Sequence, residues 1–393
     1  MRNIDATTVR RSALAFVVLF GVISLCGDIV YEGARSITGG YLETMGASAF
    51  AVGVVAGFGE LVGYGLRLVS GYVSDRTGRY WAITIFGYGL TMVAVPLLAL
   101  AGRWELAALL IILERTGKAI RTPARDAMLS HATAQIGRGW GFGIHEALDQ
   151  VGATTGALFV AAAVAVGSYE TGFAVLAVPG LLAMGILFMV WRRYPNPRDL
   201  EPAAPALTTT GFPRRFWIYL AAVGLVAAGF ADFPLIAFHF QRESVVAEHV
   251  IPLFYAAAMA ADALAALVFG RLYDRLGLSI LLLAIVLSAG FAPLVFLGGP
   301  ALALLGMISW GIGLGAQESI MRAAVAPMVA AERRGTAYGI FNTGYGLAWF
   351  LGSATMGLLY GISLPTLIVL SMALQLAALP LVARAGSARA TPA

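Results

Sequence analysis

The residues of this chain that could do chemistry are ionisable groups set inside long apolar runs. Asp28, Glu32 and Arg35 lie in the first run, Glu60 and Arg67 in the second, Glu114, Arg115 and Lys118 in the fourth, and His145, Glu146 and Asp149 in the fifth. Asp232 and Asp262 follow in the seventh and eighth, and Glu318 with Arg322 in the tenth. An ionisable group in hydrocarbon costs about 2.5–3.5 kcal/mol on insertion scales, so each must face a wet interior or another charge. Spacing sorts them. Asp28 and Glu32 share one helix face, with Arg35 three residues on. Glu114 and Lys118, His145 and Asp149, and Glu318 and Arg322 are each four apart and can pair within one helix; Glu146 and Gln150 form a parallel pair. The spacing favours structural pairs for Glu114–Lys118 and Glu318–Arg322. It favours function for Asp28, Glu32, Glu60 and the His145/Glu146/Asp149 cluster. Nine acids against five permanent cations leave carboxylates in surplus. A carboxylate with no counter-charge in a low-dielectric site takes up a proton, which makes it a proton carrier for which substrate can compete.

Other chemistries find less support. His145-Glu146-Ala-Leu-Asp149 is a zinc-protease helix motif with its second His replaced by Asp, and two ligands do not make a metal site. His145 reads equally as a proton relay or a hydrogen-bonded interior residue. Gly139 to Gly143 lacks the strand and the Lys of a nucleotide loop. No nucleophilic triad and no ATP-binding signature occurs, so an enzyme is not expected, and neither is a cofactor. The single Cys26 excludes a disulfide framework within the chain and reads as a small packed hydrophobe.

The elements that position these groups are membrane helices. The 393 residues are 59% hydrophobic and only 12% charged, with 47 Gly and a mean hydropathy of +0.82. A soluble domain carries about 25% charged residues, so composition excludes a soluble globule and a disordered chain. Apolar runs predict twelve spans, at about 13–38, 48–71, 80–101, 104–122, 138–166, 170–191, 215–239, 248–271, 279–298, 300–322, 334–361 and 363–383. Nineteen of the 26 Lys and Arg fall in the loops of one side, and only Arg103 and Arg242 in those of the other. The excess places both termini in the cytoplasm. The same distribution explains the net charge of +5 without nucleic acid as partner. At about 1.5 Å of rise per residue, Glu60 and Glu114 fall near the midplane and Asp28 and Asp232 in matching outer halves. The third, sixth, ninth and twelfth spans carry no charge in their apolar stretches, which assigns them to lipid. A Pro-rich segment between Arg192 and Arg215 reads as a cytoplasmic linker, dividing the chain into 1–192, 193–214 and 215–393. Asp232-Phe-Pro234 predicts a kink in the seventh span.

The two halves echo each other. Gly71-Tyr-Val-Ser-Asp75-Arg76-Thr-Gly78-Arg79 follows the second span, and Gly270-Arg-Leu-Tyr-Asp274-Arg275-Leu-Gly277 follows the eighth. Arg138-Gly139-Trp-Gly-Phe-Gly143-Ile144 is matched by Arg334-Gly335-Thr-Ala-Tyr-Gly339-Ile340 at nearly the same offset. Two motifs repeating at one spacing imply a duplication of six spans. The first motif, its second copy, the six-plus-six layout and the central linker resemble the major facilitator superfamily over essentially the whole chain. The resemblance implies an all-α integral membrane fold, with two six-helix pseudo-repeats around a central cavity. It assigns gating to Gly71, Asp75, Arg76, Gly78 and Arg79, with Asp274 and Arg275 opposite; Glu318 and Arg322, near the cytoplasmic end, join that gate. Exporters of the superfamily often carry Gly-Pro-x-x-Gly-Gly in span five. Here Gly152-Ala153-Thr154-Thr155-Gly156-Ala157 lacks the Pro and the final Gly, and it reads equally as close helix packing. The span-four motif of proton-coupled members keeps Arg115, but Lys118-Ala119 replaces Gln-Gly.

The expectation is therefore a monomeric secondary transporter in the inner (plasma) membrane, working by alternating access with a small-molecule substrate, protons and the lipid bilayer as partners. Proton-coupled efflux by antiport is the first reading. Proton-coupled uptake of a small organic solute is the alternative, and divalent metal transport a minor one. Asp28, Glu32, Arg35, Glu60, Glu114, Arg115, Lys118, His145, Glu146, Asp149 and Asp232 form the expected substrate and proton cavity.

Overall fold

A computed structural model describes residues 6–133, 138–195, 212–321, 323–329 and 334–387. Arg322 and most of the expected linker lie outside the described residues, as do the side chains of Asp75, Glu146 and Asp274. The described chain is helical and contains no strand. The first five spans are α1 (Ala6–Thr44), α2 (Ala49–Thr77), α3 (Tyr80–Leu97), α4 (Trp104–Thr133) and α5 (Arg138–Val166). The sixth is a tandem of α6 (Tyr169–Val175) and α7 (Ala177–Arg193), and the seventh of α8 (Arg214–Gly229) and α9 (Phe233–Arg242). The eighth is α10 (Ile251–Leu276). The ninth joins α11 (Ser279–Ala289) to α12 (Phe291–Leu297), and the tenth is α13 (Pro300–Ala316), continued by a π turn over Gln317–Met321. The last two are α14 (Arg334–Ile362) and α15 (Leu364–Ser387). Ten stretches are long and apolar enough to cross a bilayer, and α4 and α14 complete the expected twelve. The charges of α4 keep it below that apolar measure.

Local chemistry accounts for the interruptions. Asp232 is extended (φ −72, ψ 144) and precedes α9, with Pro234 in the first turn of α9. Proline has no N–H to lose there and cannot continue α8. The expected kink is thus a break at Phe230–Asp232. The repeated loops end on the same device: Gly78 after α2 has φ +65, and Gly277 after α10 has φ +64. Only glycine adopts this left-handed conformation without strain.

Two compact units emerge: Met1–Arg35 with Leu66–Ala204, and Ser36–Gly65 with Pro205–Ala393. In the first, α1 meets α5 through glycines. A Cβ on Gly152 would lie 2.5 Å from the Leu25 carbonyl, and one on Gly156 would lie 2.6 Å from that of Ile29. These two positions are therefore contact points, where backbones approach as small residues allow. In the second, the tips of α1 and α2 join α9 and α14 in the same manner. Gly39 abuts Pro234, and a Cβ on Gly357 would lie 2.5 Å from the Ala49 carbonyl. The four charge-free spans present large apolar side chains outward, among them Phe86, Leu181, Val286 and Val369, as lipid-facing helices do.

Candidate functional site

The first unit gathers its charges along one seam of α1, α4 and α5. Ser24 of α1 is the hub at one end. Its Oγ accepts from Arg125 Nη1 at 3.0 Å, and it lies 3.3 Å from His145 Nε2 and 3.4 Å from the Tyr88 hydroxyl. His145 Nε2 is 3.6 Å from Asp149 Oδ2, the i,i+4 contact that the spacing predicts. Arg125 Nη1 stands 3.8 Å from the same carboxylate, and its Nε donates to Asp126 at 2.9 Å. Two turns away, Lys118 Nζ sits 3.3 Å above the Tyr31 ring and 3.8 Å from Glu32 Oε1, with Arg115 over the same ring at 4.7 Å.

This corrects the expected Glu114–Lys118 pair. Lys118 turns across to α1, where the Tyr31 face and the Glu32 carboxylate both attract a cation. Glu114 Oε2 is 3.7 Å from Arg115 Nε instead.

Arg121 lies between these clusters, 1% exposed. Its guanidinium rests on the Tyr88 ring at 4.2 Å, and neither Nε nor Nη1 has a hydrogen-bond acceptor among the described residues. Two glycines make its slot. A Cβ on Gly27 would lie 3.2 Å from Arg121 Nη1, and one on Gly87 would lie 2.7 Å from Arg121 Cβ. Asp28, 9% exposed, feels the charges of Lys118, Arg121, Arg125 and Glu32, yet among the described residues it forms no hydrogen bond or ion pair. Arg35 closes the described run of α1 charges at the edge of this unit.

Arg121 and Arg125 escape the sequence reading, which draws span four as 104–122 and counts both among the cytoplasmic loop charges. Proline usually closes a helix, but α4 runs through it. The available signal was the continued i, i+3, i+7 face after Lys118. With both inside, the seam holds Arg115, Lys118, Arg121 and Arg125 beside Asp28, Glu32, Glu114, Asp126 and Asp149, so the acid surplus narrows there.

Glu60 and Asp232 belong to the second unit. Asp232 is 1% exposed, and Trp349 Nε1 donates to its Oδ2 at 3.3 Å. Around it stand rings: Phe230 against Trp310 at 5.5 Å, Phe233 against Tyr255 at 4.4 Å, and Tyr345 against Trp349 at 5.5 Å. The Tyr345 hydroxyl donates to Gln317 Oε1 of the π turn at 3.0 Å. Asp262 is buried against Gly315. Glu318 is exposed, and its expected partner Arg322 lies outside the described residues. Of the expected gate, Gly71 lies where α2 meets α4: a Cβ on it would contact Pro123 at 3.5 Å, and the neighbouring Ser70 Oγ donates to the Ala119 carbonyl at 2.9 Å. Arg76, Arg79 and Arg275 are exposed, and Arg76 Nη1 donates to the Tyr72 hydroxyl at 3.0 Å. Among the described residues no group of three or more His, Cys, Asp or Glu comes together as metal ligands.

Known proteins match this arrangement. A family model described as Major Facilitator Superfamily matches residues 17–353. An uncharacterized protein of Mycobacterium tuberculosis is 46% identical over 387 residues, covering 96% of this chain and 95% of that protein. An uncharacterized MFS-type transporter of Methanocaldococcus jannaschii is 26% identical over 359 residues, covering 88% of this chain and 89% of its own. Among solved structures, a variant of the nucleoside transporter NupG superimposes with a TM-score of 0.78 at 13% identity, over 94% of this chain and 99% of that one. A POT-family peptide transporter gives a TM-score of 0.75 at 13% identity, over 95% and 96%. Twelve helical spans, two compact units and a family match over most of the length agree: this multi-pass membrane protein belongs to the major facilitator superfamily and is a transporter, not an enzyme.

Proposed function

We propose that the chain couples the movement of a small molecule to protons by alternating access, and that Asp28 carries the proton. Asp28 is the observation that carries the reading: a buried carboxylate in the field of three cations, hydrogen-bonded to none of them among the described residues. Such a group gains or loses a proton without breaking a bond, and each change alters the field at Lys118 and Arg121. The moving parts are the six-span halves 1–192 and 215–393, joined by the linker. The cytoplasmic latch is Asp75, Arg76 and Arg79 with Asp274 and Arg275. The protein works as a monomer in the inner (plasma) membrane with both termini in the cytoplasm, the orientation its basic loops support.

The charge of the substrate decides direction. A cation competes with the proton for Asp28, which gives exchange and export. An anion binds better once Asp28 is neutral, which gives cotransport and uptake. Export needs the span-one acids to hold a cation, and buried Arg121 and half-buried Arg125 add two permanent cations beside them. They favour the second reading, proton-coupled uptake of a small organic solute. The solutes in the names of the fold neighbours, nucleosides and peptides, are small organic molecules too. Divalent metal transport has the least support, given the absence of a three-ligand group among the described residues.

The test is proton flux in oriented proteoliposomes with a trapped pH dye and a panel of solutes. Protons moving with the solute establish uptake, and protons moving against it establish export. Flux that is equally pH-dependent in Asp28→Asn overturns the role given to Asp28.

A further inference from the structure

We infer that the substrate carries an oxyanion, a carboxylate or a phosphate, and that Arg121 anchors it with Lys118 and Arg125 on either side. The proton-coupled reading above supplies the coupling; the site itself rests on geometry. At 3.6 residues per turn, positions 118, 121 and 125 fall within about 60° of one another on α4 and span about 10 Å along it. They form one cationic strip.

The centre of the strip is the informative part. A guanidinium has five donors and cannot shed its charge. Arg121 keeps two of its three nitrogens, Nε and Nη1, without an acceptor while 1% exposed. Buried donors are nearly always satisfied, so orphans of this kind need an explanation. Tyr88 supports the guanidinium with its ring at 4.2 Å. Gly27 leaves the space that Nη1 occupies, since a Cβ there would lie 3.2 Å from it. A ligand oxygen can accept from either orphan donor in a charge-assisted hydrogen bond.

Of the flanking cations Lys118 is the loosely held one, 3.8 Å from Glu32 and beyond hydrogen-bond length. Arg125 is 3.8 Å from Asp149 but is fixed by Asp126 at 2.9 Å and Ser24 at 3.0 Å. A ligand oxygen can take Lys118 from its carboxylate, while Arg125 contributes its fixed charge. Lys118, 24% exposed in its side chain, marks the accessible end of the strip. Asp28 faces the same three cations. Ionised, it repels an oxyanion, and protonated it does not. Proton and oxyanion therefore bind together.

The test uses the full chain purified in detergent and reads its melting temperature against four probes: benzoate, glycerol 3-phosphate, tetraphenylphosphonium and uridine. The expected result is stabilisation by benzoate or glycerol 3-phosphate, and which of the two acts names the source of the oxyanion. Arg121→Gln abolishes that shift. Arg121→Lys keeps the charge but loses the fork, and Gly27→Ala displaces Nη1 while keeping every charge. Each of these two should weaken apparent affinity about tenfold, the usual effect of a lost hydrogen bond to a charged group. They carry the test if Arg121→Gln fails to fold. Stabilisation by the cation or the nucleoside alone, an oxyanion shift that survives in Arg121→Gln, or silence of both oxyanions would overturn the proposal. Asp28→Asn separates the two ideas. If it keeps oxyanion binding and the pH dependence of that binding as well, Asp28 is not the proton carrier and the oxyanion site stands.

Discussion

The two units solve the same problem, polar groups inside a membrane, in different ways. The first collects charge. Its seam sets four cations among five carboxylates, with ion contacts of 2.9–3.8 Å and cation–ring contacts at Tyr31 and Tyr88. The second encloses charge. Asp232 is enclosed by rings and receives a hydrogen bond from Trp349, and Asp262 is packed against Gly315. Loose pairs can exchange partners, whereas an enclosed carboxylate with a fixed donor cannot do so without unpacking its cage. Asp28 stands where a change of protonation reaches Lys118, Arg121 and Arg125.

Substitutions can break that contrast. Asp28→Asn should give the largest effect: pH-driven accumulation in proteoliposomes falls to background, while downhill exchange of substrate continues. Asp232→Asn should leave pH dependence intact, and equal loss in both variants would end the distinction. Gly156→Leu comes next. Its side chain must enter a space where even a Cβ lies 2.6 Å from the Ile29 carbonyl, so α1 separates from α5 and the seam opens. Overpacking costs about 1–3 kcal/mol, read as a lower Tm together with lost transport. Gly357→Leu in the second unit should lower Tm comparably and leave the Arg121 site able to bind. Trp349→Phe removes the donor to Asp232 and should cost about 1.5–3 kcal/mol, as hydrogen bonds to charged groups do. Its effect belongs in stability rather than in coupling. The smallest effects should come from Gly78→Ala and Gly277→Ala, each forcing a left-handed backbone at a cost of about 1–2 kcal/mol. Similar drops in Tm for the two would show the repeated loop to be one device used twice.

Much of the fold was legible in the sequence because apolar runs and glycine placement are local signals. The twelve spans, the Asp232–Pro234 break and the paired glycines at 78 and 277 all follow from a few adjacent residues. The site was legible in part. Asp28, Glu32, Glu114, Arg115, Lys118, His145 and Asp149 do meet in one unit, since charges inside apolar runs have few other places to go. Two things could not be read. Spacing along one helix sees only that helix, so the Lys118–Glu32 contact and the ring of Tyr31 were invisible. Arg121 and Arg125 were counted with the basic residues of the cytoplasmic loop that follows span four, and only the continuation of α4 places them on the seam. Gly152 and Gly156 fitted either a motif or a packing contact, and the distance to α1 decides for contact.

Ser24 has one hydrogen and two lone pairs, but three neighbours. Arg125 can only donate, so it fills one lone pair. The remaining lone pair and the hydrogen must serve both Tyr88 and His145. If Tyr88 donates, the serine hydrogen points at Nε2, and the imidazole proton resides on Nδ1. If His145 donates, the serine hydrogen turns toward Tyr88. Reversing the polarity of the Tyr88–Ser24–His145 relay therefore takes the turning of both hydroxyls and the transfer of the imidazole proton between Nδ1 and Nε2, with no heavy atom moved.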